Sequence, residues 1–189
     1  GMTPVVRVTE NSRPTILRFL DVGAHGIQVP QVNSAGEAVN VVRSSKYFPL
    51  GNRGVALPRS ADYGALDPLE YFGKANEETL IVAQCESVEG LERLEEIAAV
   101  PEIDVIFLGP FDMSQSMGIP GQVTHPRVEE AASRIVQVCR ANGKAAGIFV
   151  LDGESARKRA EQGFQYITIN MGSSLLYRVC RRELQLAGR

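Results

Sequence analysis

The order of apolar segments along the chain restricts its fold more than any other feature. Short apolar runs, most of them rich in valine and isoleucine, alternate with longer segments whose apolar residues recur at helical spacing. Runs that are apolar at successive positions are typical of parallel strands covered on both faces. The chain is therefore predicted to be an α/β protein built from βα units. The predicted strands are Val5–Val8, Gly26–Val29, Leu80–Gln84, Val105–Leu108, Ala146–Val150 and Tyr166–Asn170.

The predicted helices between these strands have recognisable ends. Ser12 precedes the first helix and Gly23 follows it, as N-cap and C′ residues do. Ser34 and Glu37 match the capping-box pattern at the start of the second helix. The segment Tyr47–Gly73 breaks the rhythm with several prolines and glycines, and it is predicted to be a long, ordered excursion with a functional or interfacial role. Further helices are predicted to begin near Ser87, Pro126, Gly153 and Ser173, and the last of them runs to Leu186.

Two α/β architectures fit this pattern. A doubly wound sheet typically carries a glycine-rich loop after its first strand, whereas here the first strand leads into Thr9–Ser12, which contains no glycine. A (β/α) TIM-type barrel is therefore favoured. That fold has eight βα units and about 250 residues, so we expect an incomplete barrel with about six units. Residues 2–189 would form one partial domain that lacks the first two units, and Gly1 is set aside as a tag remnant.

Composition and charge exclude several classes of protein. The 20 basic and 22 acidic residues are interspersed and give a net charge of −2, so no basic surface for nucleic acid is expected. The apolar runs are far shorter than a membrane span, and an odd, sparse set of cysteines fits a reducing compartment. Cys139 and Cys180 lie in apolar helical patterns and are predicted to be core residues. A cytoplasmic protein without nucleic-acid or membrane partners is expected.

Two acidic residues stand where a barrel carries its active site. Active sites of this fold lie at the carboxyl ends of the strands; Glu86 follows the third strand and Asp112 follows the fourth. Two carboxylates without a histidine or cysteine partner suit a hard divalent cation such as Mg²⁺ or Mn²⁺, with water and substrate oxygens as further ligands. The alternative for each residue is a helix cap, because negative charge is favourable in the first turn of a helix.

Other groups at the same rim are candidates for binding an anion. Arg7 ends the first strand, where it would either form a structural ion pair or stabilise a developing oxyanion. Gln84 ends the third strand, and Gly109–Ser114 is predicted to be a tight turn whose backbone N–H groups bind a carboxylate. His25 and His125 fit turn or cap positions better than catalysis. No lysine lies inside a predicted strand, which argues against chemistry through a lysine Schiff base.

The same residues carry a resemblance to a known family. The motifs are P-V-V-R at Pro4–Arg7, L-D-V-G at Leu20–Gly23, V-P-Q-V at Val29–Val32, Y-F-P-L-G-N-R-G-V at Tyr47–Val55, K-A-N at Lys74–Asn76, Q-C-E at Gln84–Glu86, G-P-F-D-M-S at Gly109–Ser114 and H-P-R-V at His125–Val128. With this ordered set, the chain resembles the HpcH/HpaI family of metal-dependent aldolases for 4-hydroxy-2-oxo acids over essentially its whole length. Each motif alone is modest, whereas the set is highly specific.

The resemblance implies a lyase that cleaves a 4-hydroxy-2-oxo acid to pyruvate and an aldehyde through a metal-stabilised pyruvate enolate. Glu86 and Asp112 would hold the divalent metal, with Mg²⁺ or Mn²⁺ as first candidates and Co²⁺ as a further one. Arg7 would stabilise the enolate, and Gln84 would assist near the bound oxo acid. The substrate-binding residues that the resemblance implies are Gly109, Pro110, Phe111, Asp112 and Phe149, the last of them an apolar residue over the substrate.

The resemblance also implies a homo-oligomer, built from dimers into a hexamer, in which the last helix is exchanged between subunits. Asp21 would reach the active site of a neighbouring subunit. The family's acid/base Asp and His belong to a second barrel strand that is expected to precede Thr3, so retro-aldol turnover by this chain is expected to be very slow. The segment Ala56–Ser60 departs from the family's commoner small-residue run and leaves the aldehyde partner open.

Two further hypotheses stay open beside the aldolase. One is a catalytically impaired fragment that keeps only metal and oxo-acid binding. The other is a relative of the citramalyl- and malyl-CoA lyases, which would share the metal site and would need a surface for coenzyme A.

Overall fold

Six parallel strands form one sheet in the computed structural model, which describes residues 1–188. Each strand pairs with the next one along the chain, so the strand order follows the sequence. This order is that of a (β/α) barrel rather than of a doubly wound sheet, in which the order reverses. The six predicted strands are confirmed, and they are β1 (Val5–Arg7), β2 (Gly26–Val29), β3 (Leu80–Cys85), β4 (Val105–Leu108), β5 (Ala145–Val150) and β6 (Tyr166–Ile169).

The sheet is curled, so that side chains from distant strands meet on its inner face. Tyr166 on β6 donates a hydrogen bond from its hydroxyl to the side-chain oxygen of Gln28 on β2, at 3.3 Å. The same ring packs edge-on against Phe107 on β4, with 5.9 Å between the ring centroids. Within residues 1–188 the edge strands β1 and β6 do not pair with each other. The fold is therefore an incomplete TIM-type barrel, as predicted.

The helices connect successive strands. Ser34 accepts a hydrogen bond from the Glu37 amide at 3.2 Å, and the Glu37 carboxylate accepts one from the Asn33 amide at 2.6 Å, so the second helix begins with reciprocal caps. No helix among residues 1–188 has the length and apolar character needed to cross a membrane. The helices are α1 (Arg13–Asp21), α2 (Ala35–Ser45), α3 (Pro68–Glu78), α4 (Val88–Glu92), α5 (Leu94–Ala98), α6 (Pro110–Ser116), α7 (Pro126–Ala141), α8 (Gly153–Glu161) and α9 (Gly172–Leu186).

The main core lies between the outer face of the sheet and these helices. Because successive strand residues point to opposite faces, Ile106 and Ile148 reach outward and are buried with Ile135 of α7. A smaller cluster on the inner face contains the buried residues Val82 and Phe107, with partly buried side chains of neighbouring strands packed against them. The candidate site lies on the same inner face, towards the carboxyl ends of the strands.

Two helical predictions need correction. The excursion Tyr47–Gly73 ends earlier than expected, because α3 begins at Pro68 and is capped by Asp67, whose carboxylate accepts hydrogen bonds from two backbone amides at 3.0 Å. The helix predicted after Ser87 is interrupted at Arg93, so it forms the two short helices α4 and α5. The start of α3 had a signal in the sequence, because Asp67 and Pro68 suit the N-cap and first helical positions.

The cysteines show how exposed the last helix is. Cys139 is buried in α7, as predicted, whereas Cys180 in α9 is exposed. The prediction for Cys180 was wrong because α9 is amphipathic without being packed: none of its residues is buried, and Leu176 and Tyr177 are 65% and 63% exposed. The apolar spacing therefore predicted the helix correctly and its burial incorrectly.

Two lysines, Lys46 which is buried and Lys144 which is half-buried, lie at the end of the barrel at which the strands begin. The Lys46 amine donates to two carbonyl groups near the end of α3, at 2.5 and 2.9 Å. The Lys144 amine donates to two carbonyl groups between α5 and β4, at 2.9 and 2.7 Å. Burial lowers the pKa of both amines, and the charge of Asp104 opposes that shift. Each lysine thus satisfies carbonyl oxygens that helices and loops leave unpaired.

Candidate active site

Strand alternation places several polar side chains on the inner face of the sheet, towards the carboxyl ends of the strands. Arg7 and Gln28 are register partners on β1 and β2, and Gln84 lies on β3. These side chains line one cavity of about 670 Å³. All five residues predicted to bind substrate line the same cavity, namely Gly109, Pro110, Phe111, Asp112 and Phe149.

A series of hydrogen bonds holds Glu86 at this rim. Arg7 donates from Nε to Gln84 Oε1 at 3.4 Å, and Gln84 donates from Nε2 to Glu86 Oε2 at 2.7 Å. The other oxygen, Glu86 Oε1, accepts a hydrogen bond from the backbone amide of Gln31 at 3.0 Å. Gln31 follows β2 with a φ of 53°, which is uncommon for a residue with a side chain. Uncharged donors therefore fix both carboxylate oxygens.

The Glu86 carboxylate is buried at a point where the backbone comes unusually close. Its residue is 2% exposed, and burial raises the pKa of Glu86, while the Gln31 amide opposes the rise and the Asp112 charge adds to it. A Cβ atom at Gly109 would lie 2.5 Å from Glu86 Oε2 and 3.0 Å from its Cβ. A side chain at position 109 would therefore displace the Glu86 carboxylate from this position.

Phe111 and Asp112 lie in the first turn of α6. The tight turn predicted at Gly109–Ser114 is wrong: Pro110 is suited to a first helical position, and the chain continues as a helix. Met113 is the first residue of α6 whose amide donates back along the helix, at 2.9 Å. The amides of Phe111 and Asp112 are therefore not used by the helix itself, so the predicted carboxylate-binding groups are provided by a helix start.

An aromatic pair forms one wall of the cavity. Phe149 on β5 packs edge-to-face against Phe111, with 6.2 Å between the ring centroids. Phe107 lies deeper on the inner face and is 2% exposed. This wall is apolar, whereas Arg7, Gln84 and Asp112 provide the polar side of the same cavity.

The donor set fits a hard divalent cation that is only partly coordinated by protein. The Asp112 charge adds to the rise in the Glu86 pKa, and the Glu86 carboxylate lies against Gly109, near the start of the segment that carries Asp112. Residues 1–188 contain no group of three or more histidine, cysteine, aspartate or glutamate residues that could enclose a metal ion. Two carboxylates beside an open cavity suit Mg²⁺ or Mn²⁺, because these ions keep water and substrate oxygens among their ligands.

Asp21 lies away from this cavity, at the end of α1 and thus at the opposite end of the barrel. Its Oδ1 accepts a hydrogen bond from Arg53 at 2.8 Å. Arg53 is 4% exposed, and its guanidinium lies 4.7 Å from the centroid of the Tyr47 ring. The Asp21 side chain keeps 21% of its surface exposed. The structure therefore places Asp21 in an ion pair within its own chain.

Both histidines lie outside the cavity. His125 caps α7, because its Nδ1 accepts a hydrogen bond from the Arg127 amide at 3.2 Å. His25 stands directly before β2, where its backbone donates to the Pro4 carbonyl at 2.9 Å and accepts from the Leu80 amide at 3.0 Å. Their predicted turn and cap roles are confirmed.

Three residues, two near the cavity and one at the opposite end of the barrel, were not anticipated from the sequence. Gln31 acts through its backbone amide, which no side-chain pattern reveals. Arg53 is buried although it lies in the proline- and glycine-rich excursion, and nothing in that segment indicates burial. Gln28 had a recognisable signal: it is the one polar residue in the strand G-I-Q-V, at a position whose neighbours in the sheet face the cavity.

Comparisons with known proteins agree with this architecture. A family model described as HpcH/HpaI aldolase/citrate lyase matches residues 1–178. The chain is 39% identical over 188 residues to a hydroxypyruvate/pyruvate aldolase of Pseudomonas aeruginosa, covering 98% of this chain and 68% of that protein. It is 37% identical over 174 residues to a 2-keto-3-deoxy-L-rhamnonate aldolase of Salmonella gallinarum, covering 91% and 64%. A crystal structure of an HpcH/HpaI family protein from Burkholderia cenocepacia superposes with a TM-score of 0.92 at 35% identity, covering 99% of this chain and 74% of the other.

Proposed function

Because the chain belongs to the HpcH/HpaI aldolase/citrate lyase family, we propose that it is a class II aldolase that cleaves 4-hydroxy-2-oxo acids to pyruvate and an aldehyde. The aldolase names of its relatives support a carbon–carbon lyase. The observation that carries the proposal is the hydrogen-bonded series Arg7–Gln84–Glu86, in which Arg7 and Gln84 line one cavity together with Asp112. Residues 2–189 are proposed to act as one barrel domain, and the buried, free thiols of Cys85 and Cys139 fit a cytoplasmic location.

Glu86 and Asp112 would hold the divalent metal, with Mg²⁺ or Mn²⁺ as first choices and Co²⁺ as a further one. When bound, the metal supplies positive charge that draws electrons towards the 2-oxo group of the substrate. The hydrogen bonds from Gln84 and Gln31 keep the Glu86 carboxylate in one orientation, and such supporting contacts increase the affinity of a metal site.

Cleavage breaks the bond between C3 and C4 of the substrate. A base takes the proton of the 4-hydroxyl group, and the electron pair of the broken bond moves to the pyruvate part as an enolate. Arg7 faces the cavity with its Nε anchored on Gln84, so its positive charge is positioned to stabilise the developing oxyanion. The amides of Phe111 and Asp112 would bind the carboxylate, and Phe149 would cover the apolar part of the oxo acid.

We expect the chain to form the pyruvate enolate readily but to cleave 4-hydroxy-2-oxo acids only very slowly. With Mn²⁺ present it should exchange the methyl protons of pyruvate with deuterated solvent, and a chelator should abolish the exchange. Retro-aldol turnover should be very slow, because neither histidine among residues 1–188 lines the cavity and a general base contributes about 10²–10⁴-fold to rate. Proton NMR of pyruvate and a coupled assay for released pyruvate measure the two reactions, with Mn²⁺ alone as the control.

Each result of that test has a definite meaning. Turnover at roughly 1–10³ s⁻¹, the usual range for enzymes, would show that a base is present in the chain or in a neighbouring subunit. If exchange and turnover are both undetectable, the aldolase proposal is rejected for this chain in favour of a protein that only binds its ligands.

The chain is proposed to form a homo-oligomer through its exposed apolar surfaces. Leu176, Tyr177 and Val179 of α9 are each more than half exposed, and contiguous apolar surface of this kind is normally covered by a partner. Sedimentation velocity is expected to show dimers or larger species at micromolar concentration. Replacement of Leu176 and Val179 by serine should shift the protein towards monomer, and a wild-type chain that sediments as a stable monomer would contradict the proposal.

A further inference from the structure

A polar pair, Gln28 and Tyr166, links two distant strands on the inner face of the sheet, and Gln28 lines the cavity. The Tyr166 hydroxyl on β6 donates to Gln28 Oε1 on β2 at 3.3 Å, across the interior of the curled sheet. The tyrosine ring is fixed by edge-on packing against Phe107 and lies beside Gly147, where a Cβ atom would come within 2.7 Å of Phe107. Burial raises the pKa of Tyr166, so its hydroxyl stays protonated and remains a donor.

This hydrogen bond determines which end of the Gln28 amide is available. With Oε1 engaged by Tyr166, the donor group Nε2 has no protein acceptor among residues 1–188. Gln28 is 8% exposed and lines the cavity beside its register partner Arg7. A nearly buried N–H donor therefore faces the space in which the oxo acid would bind.

The unpaired Nε2 donor of Gln28 makes this part of the cavity selective for a ligand that offers a hydrogen-bond acceptor. A buried donor that loses water without gaining an acceptor is unfavourable, and a site built to bond a substrate hydroxyl rejects the analogue that lacks it. In the proposed function, the amides of Phe111 and Asp112 would bind the carboxylate of a three-carbon 2-oxo acid, and its 2-oxo oxygen would lie at the metal and Arg7. Carbon 3 is then the position at which a pyruvate methyl and a hydroxymethyl group differ.

We propose that Gln28, oriented by Tyr166, recognises a hydroxyl group on carbon 3 of the donor oxo acid, so that 3-hydroxy-2-oxo acids are bound in preference to pyruvate. This inference rests on the proposed function, since it assumes that the cavity binds a 2-oxo acid. It gives the Gln28–Tyr166 pair a role in substrate selection rather than in the stability of the barrel interior.

The test compares hydroxypyruvate with pyruvate on the Mn²⁺-loaded protein. Calorimetry gives the two dissociation constants, and NMR gives the two rates of C3 proton exchange. Gln28→Leu is expected to lower the preference for hydroxypyruvate by about tenfold or more, the typical effect of one hydrogen bond to a buried group. Affinity for pyruvate should stay the same or rise. Tyr166→Phe, which keeps the ring and removes the hydroxyl, should lower the preference by a smaller factor.

Gln165→Leu serves as the matched control, because Gln165 is an exposed glutamine next to Tyr166 and its loss should leave the preference unchanged. If Gln28→Leu keeps the wild-type ratios of affinity and of C3 proton exchange rate between hydroxypyruvate and pyruvate, the inference is overturned while the proposed function stands. If Gln28→Leu weakens both donors equally, Gln28 has a structural role and the inference fails. If the wild-type protein binds neither donor, the proposed function fails and the inference with it.

Discussion

Replacement of Glu86 by alanine is expected to weaken Mn²⁺ binding by about 100-fold or more. Loss of a group that merely supports a ligand already costs about 10–100-fold in metal affinity, and Glu86 is the ligand that Gln84 and Gln31 hold in place. Asp112→Ala should weaken binding by a smaller factor, because this residue is exposed and has no comparable support. Pyruvate or oxalate should tighten Mn²⁺ binding in the wild-type chain, since both would share the ion.

Isothermal titration calorimetry measures these affinities directly. Glu89→Ala is the matched control, because Glu89 is an exposed carboxylate in α4 whose ion-pair partner within residues 1–188 is Arg93, at 2.9 Å. It should bind Mn²⁺ like the wild type. Unchanged affinity in both Glu86→Ala and Asp112→Ala would place the metal elsewhere and remove the basis of the proposed function. Circular dichroism spectra establish that each variant is folded.

Replacement of Arg7 by alanine should slow the Mn²⁺-dependent proton exchange of pyruvate by about 10²–10³-fold, the usual effect of removing one group that stabilises an oxyanion. Mn²⁺ affinity should change by less than about threefold, because Arg7 contacts Gln84 and not a carboxylate directly. Arg7→Ala is therefore expected to lower the rate of pyruvate proton exchange while Mn²⁺ affinity stays nearly unchanged.

Two further variants sharpen this prediction. Arg7→Lys keeps the charge but not the planar guanidinium, and it should recover part of the rate. Arg93→Ala removes an exposed arginine whose contact is the surface pair with Glu89, and it should exchange pyruvate at the wild-type rate. A wild-type exchange rate in Arg7→Ala would show that the developing charge is stabilised by other groups.

The fold could be predicted well because helical periodicity and the continuous apolar run of a buried parallel strand are both visible in short stretches of sequence. The strand run around Ile106 is apolar at each position, which is typical of strands covered on both faces, and the order of βα units leaves few topologies. Predictions failed where burial depends on the whole assembly. The apolar spacing of α9 does not indicate whether other elements pack against it and bury Cys180. The segment Gly109–Ser114 is so short that its sequence fits both a tight turn and the first turn of a helix.

The candidate site was predictable to the extent that it consists of side chains at strand ends. Arg7, Gln84 and Glu86 follow or end strands, so their common rim could be inferred from the barrel geometry. The support of Glu86 could not be inferred, because it comes from the backbone of Gln31 in an unusual conformation. The close approach of Gly109 to Glu86 is likewise a property of the folded backbone, which a glycine in a sequence does not reveal.

The two lysine amines at the far end of the barrel have a consequence for protein engineering. Lys46 and Lys144 hold carbonyl groups together at the end where the strands begin, whereas the cavity opens where the strands finish. A mutant library confined to the loops that follow the strands would leave both amines untouched. Such a library would sample new substrate preferences against a constant structural background, so a change in selectivity could be attributed to the loops that were varied.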